Sequence, residues 1–159
     1  MVRVLFVCMG NICRSPTAEG VFRHMARAAG LDHAIETDSS GTHGYHIGKP
    51  PDERARVAAS RRGYDIGDLR ARQFTLTDFD YFQWIVAMDE DNLRILRAEC
   101  PERLQHRLHR FLDYSARYPE TEVPDPYYGS GDGFERVLDM VEDASAGLLE
   151  VIRERHHLY

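Results

Sequence analysis

Two cysteines and an arginine stand close together near the start of the chain, where their side chains could do chemistry. Cys8 and Cys13 enclose a short polar segment, and Arg14 follows the second cysteine directly. A disulfide, a metal site, a phosphate-binding loop and a catalytic nucleophile all use such residues. The chain has 3 cysteines, and an odd count does not describe a disulfide framework. No second pair of cysteine or histidine residues has the spacing of a structural zinc site, so zinc is disfavoured.

The segment from Cys8 to Arg14, C-M-G-N-I-C-R, has the length of a loop that curls around an anion. Gly10 gives the backbone freedom and Asn11 tolerates a left-handed conformation, so successive N–H groups can point at one centre. The planar guanidinium of Arg14 can hold two oxygens of a tetrahedral oxyanion. We therefore expect a phosphate-binding loop that is made of Met9, Gly10, Asn11, Ile12, Cys13, Arg14 and Ser15.

A helical pattern begins directly after this loop, with Ser15 as the expected N-cap and Pro16 at the first helical position. The helix N-terminus adds N–H groups and a positive dipole end to the anion site. A thiol beside a helix N-terminus and a cation ionises readily, so we expect Cys8 to be a thiolate that attacks phosphorus in line. Ser15 can donate a hydrogen bond to that thiolate. The alternative is that both cysteines are small buried residues at a strand end. A GxxxxGK[ST] nucleotide loop is excluded, since its lysine and second glycine are absent.

The rest of the chain predicts the scaffold that positions this loop. Strand and helix patterns alternate, which implies a three-layer α/β fold, a parallel sheet with helices on both faces, in a single domain over residues 1–159. In such folds ligands bind beyond the carboxyl ends of the strands, where the loop lies. The predicted strands are Val2–Val7, Ala34–Ser39, Tyr81–Met88 and Arg107–Leu112. The predicted helices are Pro16–Ala29, Pro51–Arg62, Asp91–Glu99 and Phe134–Arg155.

The composition argues against two classes of protein. The formal net charge is −6, whereas a general nucleic-acid binder needs a broad basic face. No apolar run is long enough to span a bilayer, and the start of the chain lacks the long apolar region of a signal peptide. His43 and His46 have no carboxylate or cysteine at metal-ligand spacing and are interpreted as loop-surface residues. We expect a cytoplasmic protein that binds no nucleic acid, membrane, metal or cofactor.

The stretch V-C-M-G-N-I-C-R-S-P resembles the signature of the low-molecular-weight protein tyrosine phosphatases. The resemblance covers essentially the whole chain, since these enzymes are single domains of this size. It implies a four-stranded parallel sheet of order 2-1-3-4. It also implies hydrolysis of phosphotyrosine and aryl phosphate monoesters through a cysteinyl-phosphate intermediate. The expected partners are tyrosine-phosphorylated proteins, and the expected state is a monomer or weak homodimer without a cofactor.

The segment from Val123 to Gly129, V-P-D-P-Y-Y-G, is the candidate source of a proton for the leaving group. By residue type alone, its prolines, aspartate and glycine indicate only a turn. The match to the family's D-P-Y-Y segment implies that Asp125 is the general acid and, in the second step, the general base for water. It also implies that Tyr127 and Tyr128 line the mouth of the cleft.

Further residues gain a role through the same resemblance. In T-D-S-S-G-T, Ser39 is expected to hydrogen-bond to Asn11, so that Asn11, Ser15 and Ser39 together support the loop. Ile12 and Tyr45 are expected to face the substrate ring, with Tyr45 as an aromatic wall.

Two other residues bear on how the loop is tuned. Leu69 stands where many family members carry a histidine, so a hydrogen bond that orients Asn11 is expected to be missing, with altered tuning but no loss of activity. Cys13 lies in the same tight loop as Cys8, and the family uses such a neighbouring cysteine to form a disulfide after peroxide oxidation. We therefore expect a reversible Cys8–Cys13 disulfide.

Three other functions remain open from the sequence. A thiol-dependent arsenate reductase shares the loop but needs further cysteines downstream, and here Cys100 stands alone. A protein arginine phosphatase of this fold carries threonine where this chain has Ile12. A non-catalytic phosphotyrosine-binding or redox-sensing module needs neither Asp125 nor a reactive Cys8.

Overall fold

A four-stranded parallel sheet forms the centre of the computed structural model, which describes residues 1–129 and 132–159. Its strands are β1 (Val2–Cys8), β2 (Ile35–Gly41), β3 (Trp84–Ala87) and β4 (Leu108–Arg110). The spatial order is β2-β1-β3-β4, and β1 pairs in parallel with both β2 and β3. This order confirms the topology that the resemblance implied.

Helices cover both faces of the sheet, so the predicted three-layer α/β fold is confirmed. They are α1 (Arg14–Ala28), α2 (Glu53–Arg61), α3 (Asp78–Tyr81), α4 (Glu90–Glu99) and α5 (Asp132–Arg155), with short 3₁₀ helices at Glu102–Arg107 and Phe111–Tyr114. One hydrophobic core packs α1, α2 and α5 on the sheet, and a second core packs α3 and α4 on the opposite face. Within the described residues, no helix combines the length and the apolar character that crossing a bilayer requires.

The central strand β1 shows why the sequence begins with an almost continuous apolar run. Val4 and Phe6 belong to the core with α1 and α5, whereas Leu5 and Val7 belong to the core with α4. All four side chains are fully buried, because a parallel strand between two helical layers has no polar face. Phe6 packs edge-to-face on Phe22 of α1, with ring centroids 5.5 Å apart.

Two predicted strands are shorter in the structure. The predicted strand Tyr81–Met88 begins only at Trp84, because α3 continues to Tyr81 and two residues connect it to β3. The predicted strand Arg107–Leu112 is limited to β4, because the chain turns into a 3₁₀ helix at Phe111. Phe82 and Phe111 are buried all the same, and a short apolar run does not distinguish a strand from a buried turn.

The carboxyl ends of three strands meet at one edge of the sheet. Cys8 at the end of β1 stands in register with Gly41 at the end of β2. After β3, the N–H of Met88 donates to the carbonyl of Val7 at 3.0 Å, and the N–H of Val123 donates to the carbonyl of Met88 at 2.8 Å. This edge therefore brings together the Cys8 loop, the end of β2, the start of α4 and the acid segment, Val123–Gly129.

Candidate active site

The phosphate loop, residues 8–15, curls around the thiol of Cys8 at the carboxyl end of β1. The N–H of Asn11 donates to Cys8 Sγ at 3.3 Å. Three carbonyl groups of the loop accept hydrogen bonds from outside it. The pairs are Thr42 N to Cys8 O at 2.9 Å, His43 N to Met9 O at 3.0 Å and Asp52 N to Ile12 O at 2.8 Å. Carbonyl groups that are bonded outward leave the N–H side of the loop for an anion above the thiol.

Asn11 and Gly10 make this curl possible in different ways. Asn11 has φ 59°, the left-handed conformation that its side chain tolerates. Gly10 does not have a positive φ, so the backbone freedom expected of it is not what the loop uses. A Cβ at position 10 would lie 3.0 Å from His46 Cδ2. A side chain at position 10 would therefore be tight against the His46 ring, which would have to shift by a few tenths of an ångström.

A buried chain of hydrogen bonds supports the thiol. Ser15 Oγ lies 3.0 Å from Cys8 Sγ, and Asn11 Nδ2 donates to Ser15 Oγ at 2.8 Å. The same amide group donates to Ser39 Oγ at 3.0 Å, and Ser39 donates to Glu19 Oε1 at 2.8 Å. The structure thus brings the three expected support residues together behind Cys8.

Ser15 does not cap α1, as the sequence had suggested. The helix begins one residue earlier, at Arg14, and its first turn has no side-chain cap. The Ser15 hydroxyl lies instead between Cys8 Sγ and the Asn11 amide, because its place one residue inside the helix turns it toward the loop. The N-cap prediction was wrong, whereas the predicted contact with the thiol is present.

Leu69 does not leave the Asn11 side chain without partners. Asn11 Oδ1 accepts a hydrogen bond from the N–H of Arg72 at 3.0 Å, and Asn11 Nδ2 donates twice, as described above. Leu69 itself packs against the hydrophobic core. The orientation of the Asn11 amide therefore does not depend on a histidine at position 69.

Glu19 is a member of this network that the sequence analysis missed. Its side chain lies on α1 with only 4% of its surface exposed, and burial raises its pKa to about 7. The hydrogen bond from Ser39 opposes this rise, and the charge of Asp38 adds to it. The sequence did contain a signal, since Glu19 follows Ala18 and stands three residues before Phe22 on the apolar side of the helix.

Arg14 is buried and already held in place at the cleft. Its Nη1 donates to Asp89 Oδ2 at 2.6 Å and to the carbonyl of Val123 at 3.1 Å, and its Nη2 lies 3.6 Å from Asp125 Oδ2. Burial alone would lower the pKa of Arg14, but the negative charges of the Cys8 thiolate and the two carboxylates raise it. The guanidinium therefore stays charged.

Asp89 is a second residue whose role the sequence analysis missed. It lies before the predicted helix Asp91–Glu99 and caps α4, since Asp89 Oδ1 accepts a hydrogen bond from the N–H of Asn92 at 2.8 Å. The other oxygen of the same carboxylate orients Arg14. The available signal was its position just after β3, at the sheet edge where Cys8 also lies.

Asp125 stands at the rim of the cleft and is partly exposed. Its side chain keeps 29% of its surface accessible, and its Oδ2 faces Arg14. Its Oδ1 accepts a hydrogen bond from the N–H of Tyr127 at 3.0 Å. A carboxyl group in this position can reach the oxygen of a leaving group while Cys8 faces the phosphorus.

Aromatic side chains surround the mouth of the cleft. Tyr45 is mostly exposed and stacks on His43 at 5.1 Å, and His46 lies between Tyr45 and Tyr127 with centroid distances of 6.5 and 6.3 Å. His46 is thus a partly exposed loop residue that also lines the cleft, a place that the interpretation as a loop-surface residue did not include. Ile12 lines the cleft and also packs against the core. The residues that line the cleft are Cys8, Met9, Gly10, Ile12, Cys13, Arg14, Tyr45, His46, Asp125, Tyr127 and Tyr128.

The three cysteines are free thiols in different surroundings. Burial raises the pKa of the Cys13 thiol, and the negative charges of Asp52 and Cys8 add to the effect. Cys13 is therefore a neutral thiol at physiological pH. Cys100 belongs to the core on the opposite face of the sheet from Cys8. In residues 1–129 and 132–159, no cluster of histidine, cysteine, aspartate or glutamate side chains could hold a metal ion.

Comparison with known proteins places this geometry in a family. Residues 3–158 match the family model of the low molecular weight phosphotyrosine protein phosphatases. A low molecular weight protein-tyrosine-phosphatase from Streptomyces coelicolor is 47% identical over 156 residues, which cover 96% of this chain and 94% of that protein. The human low molecular weight phosphotyrosine protein phosphatase is 38% identical over 149 residues, which cover 92% of this chain and 93% of that protein.

Solved structures agree with the sequence comparison. A crystal structure of a protein tyrosine phosphatase from Entamoeba histolytica with Hepes in the active site has a TM-score of 0.95 and 40% identity to this chain. The aligned residues cover 98% of this chain and 99% of the chain in that structure. The crystal structure of YfkJ from Bacillus subtilis has a TM-score of 0.92 and 40% identity, with coverages of 98% and 96%. Because sequence and structure both match over almost the full length, the chain belongs to the low molecular weight phosphotyrosine protein phosphatase family.

Proposed function

We propose that the chain hydrolyses phosphotyrosine in proteins, with Cys8 as nucleophile, Arg14 as phosphate-binding cation and Asp125 as general acid and base. The observation that carries this proposal is the meeting of the three side chains in one cleft. Asn11 N and Ser15 Oγ contact the thiol at the floor, and Arg14 lies 3.6 Å from Asp125 at the rim. Such an arrangement supplies a nucleophile, charge neutralisation and a proton donor to one substrate.

In the first step, the backbone N–H groups of the phosphate loop and the guanidinium of Arg14 bind the phosphate dianion. The Cys8 thiolate attacks phosphorus, so that a P–S bond forms while the P–O bond to the substrate ring breaks. The proton of the Asp125 carboxyl group passes to the departing phenolate oxygen. The products of this step are a cysteinyl phosphate, a tyrosine hydroxyl and an ionised Asp125.

In the second step, water enters from the side that the tyrosine has left. The Asp125 carboxylate takes a proton from this water, whose oxygen attacks phosphorus, and the P–S bond breaks. The Cys8 thiolate leaves with the help of the Ser15 hydroxyl, which lies 3.0 Å from the sulfur. Inorganic phosphate is released, and Asp125 is protonated again for the next turnover.

The shape of the cleft supports an aryl phosphate as the substrate. The thiol is buried at the floor, and tyrosine side chains line the rim. We expect the ring of a phosphotyrosine to pass between them. Aromatic side chains add stacking energy to the binding of such a ring. A phosphoserine side chain is shorter than a phosphotyrosine side chain, so we expect phosphoserine to reach the buried thiol less well. Ile12, which lines the cleft, adds an apolar contact for the ring.

The rival reactions receive less support. An arsenate reductase needs further cysteines that are oxidised after the first one has reacted. Here Cys100 lies in the second hydrophobic core, on the face of the sheet opposite to Cys8. A protein arginine phosphatase is disfavoured by Ile12 in place of threonine. A non-catalytic binding module is disfavoured by the position of Asp125, whose carboxylate has no role in simple phosphate binding and weakens it by charge repulsion.

The same proposal includes the setting of the enzyme. One phosphatase domain over residues 1–159 acts on tyrosine-phosphorylated proteins in the cytoplasm, as a monomer or weak homodimer. Nucleophile, cation and acid all come from side chains, so the chemistry needs no metal or cofactor. The net charge of −6 supports protein substrates over nucleic acids.

Replacement of the nucleophile tests the proposal directly. Cys8→Ser should lower turnover of a chromogenic aryl phosphate by more than about 10⁴-fold, since a serine hydroxyl is not ionised near neutral pH. Cys100→Ser is the matched control, because it removes a buried thiol from the other core, and it should retain the parent activity. Acid-quenched parent enzyme should contain phosphate bound to the Cys8 peptide. Substantial turnover by Cys8→Ser would move the nucleophile to another residue.

A further inference from the structure

Arg54, in the first turn of α2, bridges the two sides of the cleft. Its Nε and Nη2 donate to the two carboxylate oxygens of Asp52 at 3.1 and 3.0 Å. Its Nη2 also donates to the carbonyl of Tyr127 at 3.1 Å. The guanidinium carbon lies 4.8 Å from the ring centroid of Phe134 and 5.6 Å from that of Tyr127. One side chain thus contacts the start of α2, the acid segment and the start of α5.

Both hydrogen-bond partners of Arg54 are connected to the reacting groups. The N–H of Asp52 donates to the carbonyl of Ile12 in the phosphate loop at 2.8 Å. The N–H of Tyr127 donates to Asp125 Oδ1 at 3.0 Å. A continuous path of hydrogen bonds therefore runs from the phosphate loop through Asp52 and Arg54 to the general acid.

The acid segment is attached differently on the two sides of Asp125. Before Asp125, the backbone of Val123 bonds to the end of β3 and to Arg14. Beyond Asp125, in the part of the chain that the structure describes, the hydrogen bond from Arg54 is the one that reaches residues 126–129 from outside the segment. Without that hydrogen bond, Tyr127, whose N–H orients the Asp125 carboxylate, loses its hydrogen bond to α2.

The contacts require an arginine and not merely a positive charge. A guanidinium can donate to a carboxylate with two N–H groups, donate to a carbonyl in its plane and still present its face to aromatic rings. A lysine ammonium has neither the fork nor the flat face. The hydrogen bonds from Arg54 lower the pKa of Asp52, so this pair stays charged at neutral pH.

We propose that Arg54 is a positioning residue for the general acid, which it holds over the phosphate loop through the backbone of Tyr127. This inference rests on the proposed function, in which Asp125 protonates the leaving group. Arg54 acts through Asp125, so its removal should hinder proton transfer and leave phosphate binding intact.

The test compares aryl phosphates whose leaving groups differ in acidity. Arg54→Ala should lower kcat/KM about 10-fold for phenyl phosphate, whose leaving group needs the proton, and less than about 2-fold for a nitro-substituted aryl phosphate. Arg54→Lys keeps the charge but loses the fork, and it should fall nearly as far. Arg56→Ala removes an exposed arginine of the same helix and serves as the matched control, with kcat/KM near that of the parent.

A double variant distinguishes the positioning of Asp125 by Arg54 from a direct contribution of Arg54 to phosphate binding. When Asp125→Ala is already present, the further change Arg54→Ala should lower kcat/KM by less than about 2-fold, because the group that it positions is gone. The inhibition constant of inorganic phosphate should be the same for Arg54→Ala and the parent. This measurement also verifies that the phosphate loop of the variant is folded.

Three results would overturn the role of Arg54. They are equal losses for all leaving groups, full additivity with Asp125→Ala, and parent-like activity of Arg54→Lys. The proposed function fails in a different way. If Asp125→Ala alone shows no dependence on the leaving group, the assignment of the acid is wrong, whatever Arg54 does.

Discussion

The phosphate loop is built into the hydrophobic core, whereas the acid segment lies on the surface across the cleft from it. Cys8, Asn11, Arg14 and Ser15 each expose 3% or less of their surface. Most of the acid segment is exposed, and Tyr128 at its far end keeps 84% of its surface accessible. The loop ends one strand and begins one helix, so its geometry is fixed by the same packing that folds the chain. The acid segment is fixed by a few hydrogen bonds.

This difference corresponds to two kinds of catalytic work. Phosphate binding and in-line attack need atoms that are already in place, because reorganisation during the reaction would raise the barrier. The acid must instead meet a protein substrate, release its tyrosine and then accept a proton from water. A partly exposed carboxylate on the rim can serve all three events. The comparison predicts that changes to the acid segment alter rates, and that changes behind the phosphate loop alter stability as well.

Among changes to the acid segment and to the residues around the phosphate loop other than Cys8 itself, the largest effect is expected at the acid. Asp125→Ala should slow hydrolysis of a substrate with a poor leaving group by roughly 10²–10⁴-fold, the usual contribution of a positioned acid. The loss should shrink for leaving groups that are already acidic. The free energy of unfolding, measured in urea, should stay within about 0.5 kcal/mol of the parent, since the side chain is partly exposed. A large loss of stability would instead place Asp125 among the structural residues and remove the contrast between the two sides.

Glu19 lies behind the phosphate loop and tests the prediction that changes there alter stability. Burial raises the pKa of this carboxyl group to about 7 in the folded protein, from about 4.3 in an unfolded chain. Because folding raises this pKa, the protonated carboxyl group contributes to the stability of the folded protein. This contribution is fully present below the unfolded pKa and is lost as the pH rises through the folded pKa. Between pH 4 and pH 8, the parent should therefore lose about 3 kcal/mol of unfolding free energy relative to Glu19→Gln.

Urea unfolding at a series of pH values measures this difference. The variant Glu150→Gln, at an exposed position of α5, is the control and should follow the parent. The activity of Glu19→Gln should change only a few-fold, because its amide oxygen can still accept the hydrogen bond from Ser39. A difference in stability that does not vary with pH would show that Glu19 does not titrate in this range.

The smallest effect on basal activity is expected at Cys13. We propose that peroxide oxidises the Cys8 thiolate to a sulfenic acid, and that the neutral Cys13 thiol condenses with it to form a disulfide and water. A dithiol then restores both thiols. Cys13→Ser should keep most of its activity but lose most of the recovery after peroxide and reductant. Cys100→Ser should recover like the parent, and full recovery of Cys13→Ser would reduce Cys13 to a packing residue.

The curl of the loop around Cys8 could be predicted because it is local in sequence. A strand, a turn with Gly10 and Asn11, and a helix start follow one another between residues 2 and 28, so spacing alone brings the thiol and the cation to one site. The alternation of strands and helices predicted the layers for the same reason. Local patterns failed at finer points. They assigned Ser15 to a helix cap, although its hydroxyl bonds to the loop.

Residues that reach the site from a distance in sequence were harder to predict. Asp89 stands at the start of α4 and resembles any N-cap until β3 is placed beside β1. His46 lies in a loop with no periodic pattern, and only the close approach of its ring to Gly10 reveals its place in the cleft. Asp125 is proposed as the acid through the D-P-Y-Y match, because an aspartate between two prolines otherwise indicates a turn.

The fixed position of Arg14 has a consequence for the end of the catalytic cycle. Asp89 and the Val123 carbonyl hold the guanidinium in place, so binding a phosphate dianion costs little side-chain entropy. The free phosphate ion that hydrolysis releases meets the same preformed loop as the phosphate group of the substrate. Interactions that bind the substrate as tightly as the transition state do not accelerate the reaction. Where they also bind the free phosphate ion, they slow the departure of the product. With phosphate bound as proposed, accumulated inorganic phosphate should compete with the substrate and slow turnover.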